Sequence, residues 1–419
     1  MNKNIKLAVA GAVLALTASA ANAGIVIPAG DWSLDIGGNV NAYTTWSKAD
    51  GVATINSSFA QVGAGKNTTN GWGNGLLPNF LSVSGTTRQN DLDVTFLISL
   101  QPGTANATAI SQVGSAGNSG LNNRQAFLTF GDKSWGTIKM GKDLGIYASD
   151  AILSDMTLLG VGALTPAGNT TLGRIGFGYT YADWKPQLSY TTPNMNGFQG
   201  TVGISKHFTD QSVMSNDVAT SLSGGTTNAS PTYEGKASYS FSANDVTGKI
   251  WVSGIASKAG SFVGYTNTDN MAYGGDIGAN LSMAGFTLTG YYYGSNGIGH
   301  MGQGLDGYGK ATAANTVEAR DQDGGYVQAT YVLPTKTKIG ASWGISNLDK
   351  ASGETTTIGA SVGNAGSIVK ENEMWTVGVY HPITKHLNLV AEYNYQTSRN
   401  QADQENKANS GSLGAILFF

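Results

Sequence analysis

The sequence has no cysteine, little charge and no long apolar run. Absence of cysteine excludes a disulfide framework and thiol chemistry. Charged residues are 12% of the chain, about half the usual share. A water-exposed surface normally carries more, whereas a surface that faces lipid has no use for charge. No segment beyond the N-terminus approaches the ~18 continuous apolar residues of a membrane helix. There is no basic excess either, which excludes a nucleic-acid binding surface.

What is present begins with the N-terminus. Met1–Lys6 is short and basic, Leu7–Ala18 is apolar, and Ala21-Asn22-Ala23 fits a small-x-small cleavage site. The run is too short to span a bilayer, so residues 1–23 are expected to be a secretory signal peptide. Removing Lys3 and Lys6 from the 24 basic residues leaves 22 against 27 acidic ones. Glycine is abundant, at 59 of 419 residues, roughly twice the usual share.

In the rest of the chain apolar residues alternate with polar ones. Trp32, Leu34, Ile36, Val40, Ala42 and Trp46 oppose Asp35, Asn39, Asn41 and Thr45. Leu92, Val94, Phe96, Ile98 and Leu100 oppose Asp93, Thr95, Ser99 and Gln101. The same holds for Ile339–Ile345, Trp375–Val379 and Leu387–Gln396. Period two is the strand signal. Trp32 and Trp46 lie ~35 Å apart along the axis of a barrel with strands tilted ~40°, which suits two aromatic girdles around an apolar band. Tyr291-Tyr292-Tyr293, Trp343, Trp375, Tyr393 and Tyr395 are candidates for the same belts.

Tight joins recur at 87–90, 132–135, 193–197, 242–248, 282–285, 334–337 and 381–386. Between them lie long polar segments, near 48–74, 102–122, 143–172, 208–231, 259–270, 294–323, 347–371 and 398–409. Seven short turns and eight long loops make sixteen strands. In lipid such a sheet must close, because an open edge strands its backbone groups. The fold expected is an all-β transmembrane antiparallel barrel over 24–419. The strand-like stretch 173–184 fits this count only as part of a loop or as an upward extension of strand six.

These parts in this order resemble a general porin of the Gram-negative outer membrane. QLSYTTPNMNGFQGTVGIS (187–205) is similar to the strand–turn–strand after the constriction loop of such porins, and FLTFGDKSWGTIKMGKD (127–143) to the hairpin before it. The resemblance implies a bacterial outer-membrane location and a water-filled channel for passive diffusion of small hydrophilic solutes and ions. It also implies a homotrimer in contact with lipid and lipopolysaccharide, and no cofactor or enzymatic activity. The terminal Phe419 would be read by the outer-membrane insertion machinery and would close the barrel against the first strand. Leu413, Ala415, Leu417 and Phe419 alternate outward as that role requires; Ile416 and Phe418 break the alternation, facing either a subunit contact or a plugged base.

The resemblance places a constriction loop at about 143–174, folded inward. Asp143, Asp150 and Asp155 are its candidate acids, with Ser149 capping a short helix and Gly160 just beyond its end. Candidate basic residues of the pore wall are Arg88, Lys139, Lys142, Arg174, Lys185, Lys236 and Lys338. Asp35, Asp93, Asp276 and Glu392, with Glu234, are the wall acids. Opposed charges across an eyelet would screen solutes by charge and dipole. The PEFGG stretch of enterobacterial loops is missing and strand one carries no inward base, so only a slight lean to cations is expected.

The other motifs are weaker. Gly297–Gly302 matches GxGxxG but no helix follows it. Asp321-Gln322-Asp323-Gly324 starts like a calcium loop without the spaced Glu. His207, His300, His381 and His386 are scattered, and no metal site is expected. A second possible function is a substrate-selective channel for sugars or organic acids, which would need an aromatic track from Tyr43, Phe127, Tyr291, Tyr293, Tyr326 and Tyr380.

Overall fold

The computed structural model describes residues 24–56, 60–104, 121–164, 170–206, 230–258, 271–302, 305–310, 316–359 and 364–419. The expected signal peptide, 1–23, lies outside them. Among the described residues one antiparallel sheet contains eighteen strands. Two of these are short pieces, leaving sixteen that build the wall. They are Trp32–Asp50, Phe80–Gln89, Leu92–Pro102, Leu121–Asp132, Gly136–Leu144, Trp184–Thr191, Phe198–Ser205 and Thr232–Ala243, then Val246–Lys258, Met271–Met283, Phe286–Asn296, Asp321–Val332, Lys338–Leu348, Val369–Pro382, Leu387–Asn400 and Glu405–Phe418. Each pairs with its sequence neighbour, and Glu405–Phe418 pairs with Trp32–Asp50, which closes the barrel. Phe419 completes that seam: its carbonyl accepts from Gly38 N at 2.8 Å and its N–H donates to Gly38 O at 3.1 Å.

The two short pieces repair mismatches of length. Glu405–Phe418 covers only Asn39–Asp50 of the first wall strand; Ile25–Ala29 folds back to cover Trp32–Ile36 below it. On the other side Phe80–Gln89 covers Ser33–Asn39, and Asn67–Gly73 covers Tyr43–Ala49 above it. Residues 74–79 leave the wall between those two pieces. Asn67–Gly73 was expected to be loop, because only Trp72 in NTTNGWG signals a strand.

The alternation read from sequence is visible as burial. Val40, Ile277, Val377 and Leu413 are each about half exposed, while their neighbours Asn41, Asp276, Thr376 and Ser412 are buried. The exposed apolar face is the one that meets lipid. In the 291–293 triplet only Tyr292 is on that face; Tyr291 and Tyr293 are buried on the inner one. Ile416 and Phe418 are inward too, packed with Tyr43, Leu77, Met156, Val161 and Tyr380. The segment 173–183 holds no wall strand, and Trp184 begins the next one. The intervening loop therefore runs from 145 to 183.

Trp251 shows how tightly the inner face is filled. Its ring is 1% exposed and lies over Gly278, where a Cβ would sit 2.2 Å from the indole. Gly278→Val should cost ~1–3 kcal/mol by overpacking. The measurement is the temperature at which the detergent-solubilised barrel loses its compact gel migration, which should fall; an unchanged temperature would remove the packing argument.

Candidate functional site

Loop 145–183 is the longest described excursion from the wall, and its amides bond to side chains of the wall's polar face. Gly145 N donates to Asp183 O at 2.8 Å and closes the loop at its base. Directly after it the Glu234 carboxylate accepts from Ile146 N (2.8 Å) and Tyr147 N (2.9 Å). Asp276 accepts from Ala148 N at 3.2 Å while also holding Ser253 N and the Tyr291 hydroxyl. Further on, Gln328 accepts from Met156 N (2.7 Å) and donates to Ser154 O (3.1 Å). Glu392 accepts from Val161 N (2.8 Å) and Gly162 N (2.9 Å), and from the Tyr380 hydroxyl. A buried amide without an acceptor costs ~1–3 kcal/mol, so each bond fixes a stretch of loop.

The local sequence explains the loop's path. Helix α1 spans Ser149–Ser154, and its N-cap is Ala148 in the left-handed region rather than Ser149. The Ser149 hydroxyl instead donates to Ile146 O and accepts from Lys236 Nζ. Asp150 lies in the first turn as expected. The helix stops at Asp155, whose carboxylate caps the 3-10 turn Met156–Leu159 through Thr157 N. Gly160 follows that turn. A Cβ there would lie 2.0 Å from Glu392 Oε1, so a larger residue would push the carboxylate off the amides it holds.

Asp150 and Asp155, expected to face the water path, are buried, and so is the third loop acid, Asp143. Asp150 is 6% exposed and paired with Lys236 Nζ at 2.9 Å and with Lys249. Asp155 is turned back onto Thr157 and onto the Tyr179 hydroxyl. Asp143, fully buried, accepts from Gln125 at 3.0 Å and pairs with Lys139 at 2.5 Å. The reason is common to all three: an isolated carboxylate inside protein is expensive, and each has found a cation or a set of donors.

The basic residues divide in the same way. Lys139 carries its pair to Asp143 and lies over the Phe127 ring. Lys185 pairs with Glu234 at 2.5 Å. Lys236 serves Asp150, and Lys338 lies 4.5 Å from the Tyr380 ring centre. Arg88, at the short-turn end, holds Asp93 (2.7 Å) and Asp132 (2.9 Å). Asp35 is exposed on the first strand. Two expectations are corrected. Lys142, one residue out of phase with Lys139 and Asp143, leaves the inner face and donates to Asn123 O at 2.8 Å. Arg174 belongs to the loop, not the wall; it is buried and donates to Met374 O (2.9 Å), Thr376 Oγ1 (2.8 Å) and Ser342. Burial pulls its guanidinium below the ordinary arginine value, against the field of Asp155.

Lys249 was missed. It lies in KIWVSG, where Ile250, Trp251 and Val252 form an unbroken apolar run that conceals the parity. Asp276 and Glu392, expected as pore-wall acids, instead hold loop amides and hydroxyls. Among the described residues no cluster of His, Cys, Asp or Glu side chains is placed to hold a metal ion.

A family profile described as "Gram-negative porin" matches residues 10–401, and the chain belongs to that family. It forms an outer-membrane channel for small solutes. Solved structures of similar fold include the outer membrane channel DcaP of Acinetobacter baumannii. It is 15% identical with a TM-score of 0.65, and the match covers 94% of this chain and 99% of that one. An anion-selective porin from Comamonas acidovorans is 13% identical with a TM-score of 0.56, covering 93% and 100%. A trimer form of OmpT from Vibrio cholerae is 14% identical with a TM-score of 0.51, covering 93% and 99%. No curated protein sequence matches the chain.

The Asp150 pair has a definite pH dependence. Burial pushes its carboxyl up, but Lys236 and Lys249 outweigh this and hold it below the ordinary value of 3.8. A depressed folded value means that the pair's contribution is present above 3.8 and is lost as pH falls through the lower folded value. Reversal potentials under a salt gradient should therefore stay level from pH 8 to 5. Asp150→Asn, which strips two lysines of their counter-charge, should shift the potential toward anions at pH 7; no shift would exclude Asp150 from the conducting field.

Proposed function

We propose that the chain is a passive diffusion channel for small hydrophilic solutes and ions, narrowed by loop 145–183, with at most a slight preference for cations. The hydrogen bonds from loop amides to Glu234, Asp276 and Glu392 carry this reading. They hold the segment against the inner face at both ends, where it reduces the open cross-section. The low ion preference follows from pairing. Lys139, Lys185, Lys236 and Lys249 each have a carboxylate within contact, so opposite walls do not face each other with bare charges of opposite sign.

Three copies associate through their apolar walls in this proposal, which the trimer form of the Vibrio cholerae relative supports. Outer-membrane lipid and lipopolysaccharide cover the remaining wall, and the aromatic C-terminus is the segment presented to the insertion machinery. The alternative, a sugar- or organic-acid channel lined by an aromatic track, fares less well. Tyr291, Tyr293 and Tyr326 do lie together, with ring centres 5.7 to 6.2 Å apart. They are buried, however, and the Tyr326 hydroxyl is spent on Ala151 O of α1.

Planar-bilayer recording tests this. The purified protein should give discrete conductance steps grouped in threes, with a reversal potential near zero in a salt gradient. Glu392→Gln keeps the shape but weakens the acceptor of two amides, and it should raise single-channel current noise and conductance. A variant as quiet as the unaltered channel would show that the latch does not set the opening.

A further inference from the structure

The loop end of the barrel contains a cavity of about 240 Å³ between loop 145–183 and the inward segment 74–79. Its lining is unusual for a hydrophilic passage. Apolar side chains, among them Leu76, Leu77, Leu153, Leu158, Ile175 and Met301, supply most of it. Leu153 and Leu158 are half-buried: they pack against the buried apolar cluster and also line the space. Its charged lining residues are Arg124 and Asp183, one of each sign, and Thr170, Thr171 and Tyr181 are the other polar side chains.

That composition has a direct consequence. A sugar hydroxyl over the apolar part of this lining would surrender water hydrogen bonds to side chains that return none, at a cost of several kcal/mol per unmet group. A ring or branched alkyl group would lose unfavourable contact with water instead. With one cation and one anion in the lining, the sign of a polar head gives little discrimination. We propose that this cavity is a binding site for small solutes with an apolar ring and a single charged group, through which the channel retains such solutes longer than hydrophilic ones of equal charge. The proposal rests on the channel reading above for its role in passage, but the site itself can be tested without current.

Two pairs of probes separate ring from charge: benzoate against acetate, and benzylammonium against methylammonium. Equilibrium dialysis against the full chain in lipid nanodiscs, corrected with empty discs, reads occupancy directly. Both ring-bearing ions should bind at least about tenfold more tightly than their ringless partners, and in bilayers both should reduce the current at correspondingly lower concentration. Leu153→Asn replaces a half-buried side chain of the cavity lining and should weaken ring binding about tenfold, a loss of about 1.4 kcal/mol. Heat-modifiable gel migration confirms that the variant is folded. Equal binding of ringed and ringless ions to the unaltered protein overturns the proposal, and so does unchanged ring binding by the folded variant. Failure of the channel reading looks different: no conductance before any probe is added, with dialysis still deciding the site.

Discussion

A segment laid against the inner face of a barrel brings its backbone amides with it, and each must find an acceptor there. A wall strand satisfies its amides through its neighbours, but a loop that leaves the ladder loses that supply. In this protein the wall's own side chains replace it. Glu234, Asp276, Gln328 and Glu392 point inward by strand parity, and each takes one or two amides of loop 145–183. The loop's route is set by where those acceptors stand. Glycine at 160, where a Cβ would crowd the Glu392 carboxylate, and a left-handed Ala148 accompany that route.

Using carboxylates as acceptors creates a second problem, which the lysines solve. Glu234 takes two loop amides and also Lys185; Asp150 on the loop takes Lys236 and Lys249 from the wall. Charges that a sequence reader would assign to a transverse field are thus committed in pairs. Close pairs in a partly dried interior interact strongly with one another and weakly with a passing ion. Arg174 is buried too: its two terminal nitrogens donate to Met374 O and to the Ser342 and Thr376 hydroxyls, while Nε is left without a partner among the described residues.

Much of the wall was legible because a strand facing lipid on one side and polar groups on the other has a rigid two-residue period. Strand number follows from that period together with the alternation of short turns and long loops, whereas the closing role of the terminus rests on the family resemblance. The places where the reading failed lack the period. Asn67–Gly73 is nearly all polar, and KIWVSG is apolar without a break, so one strand piece and Lys249 went unseen. Loop acids were harder still. Asp150 and Asp155 sit five residues apart on a short apolar segment, and nothing in that spacing says that one meets two lysines while the other caps a 3-10 turn. Those outcomes depend on Lys236 and Lys249, 86 and 99 positions away from Asp150. The ends of the loop were also obscure, because GRIGFGYTYADW looks like a strand yet spends its hydrogen bonds on turns and on Ser346.

The central claim is that wall carboxylates hold the loop's amides, and site-resolved hydrogen exchange reads those amides directly. In the folded, membrane-embedded protein, Ile146, Tyr147, Val161 and Gly162 should exchange as slowly as amides of the neighbouring wall strands. Exchange of all four at the rate of an open surface loop would contradict the account, because it would leave the segment with no latch to the wall.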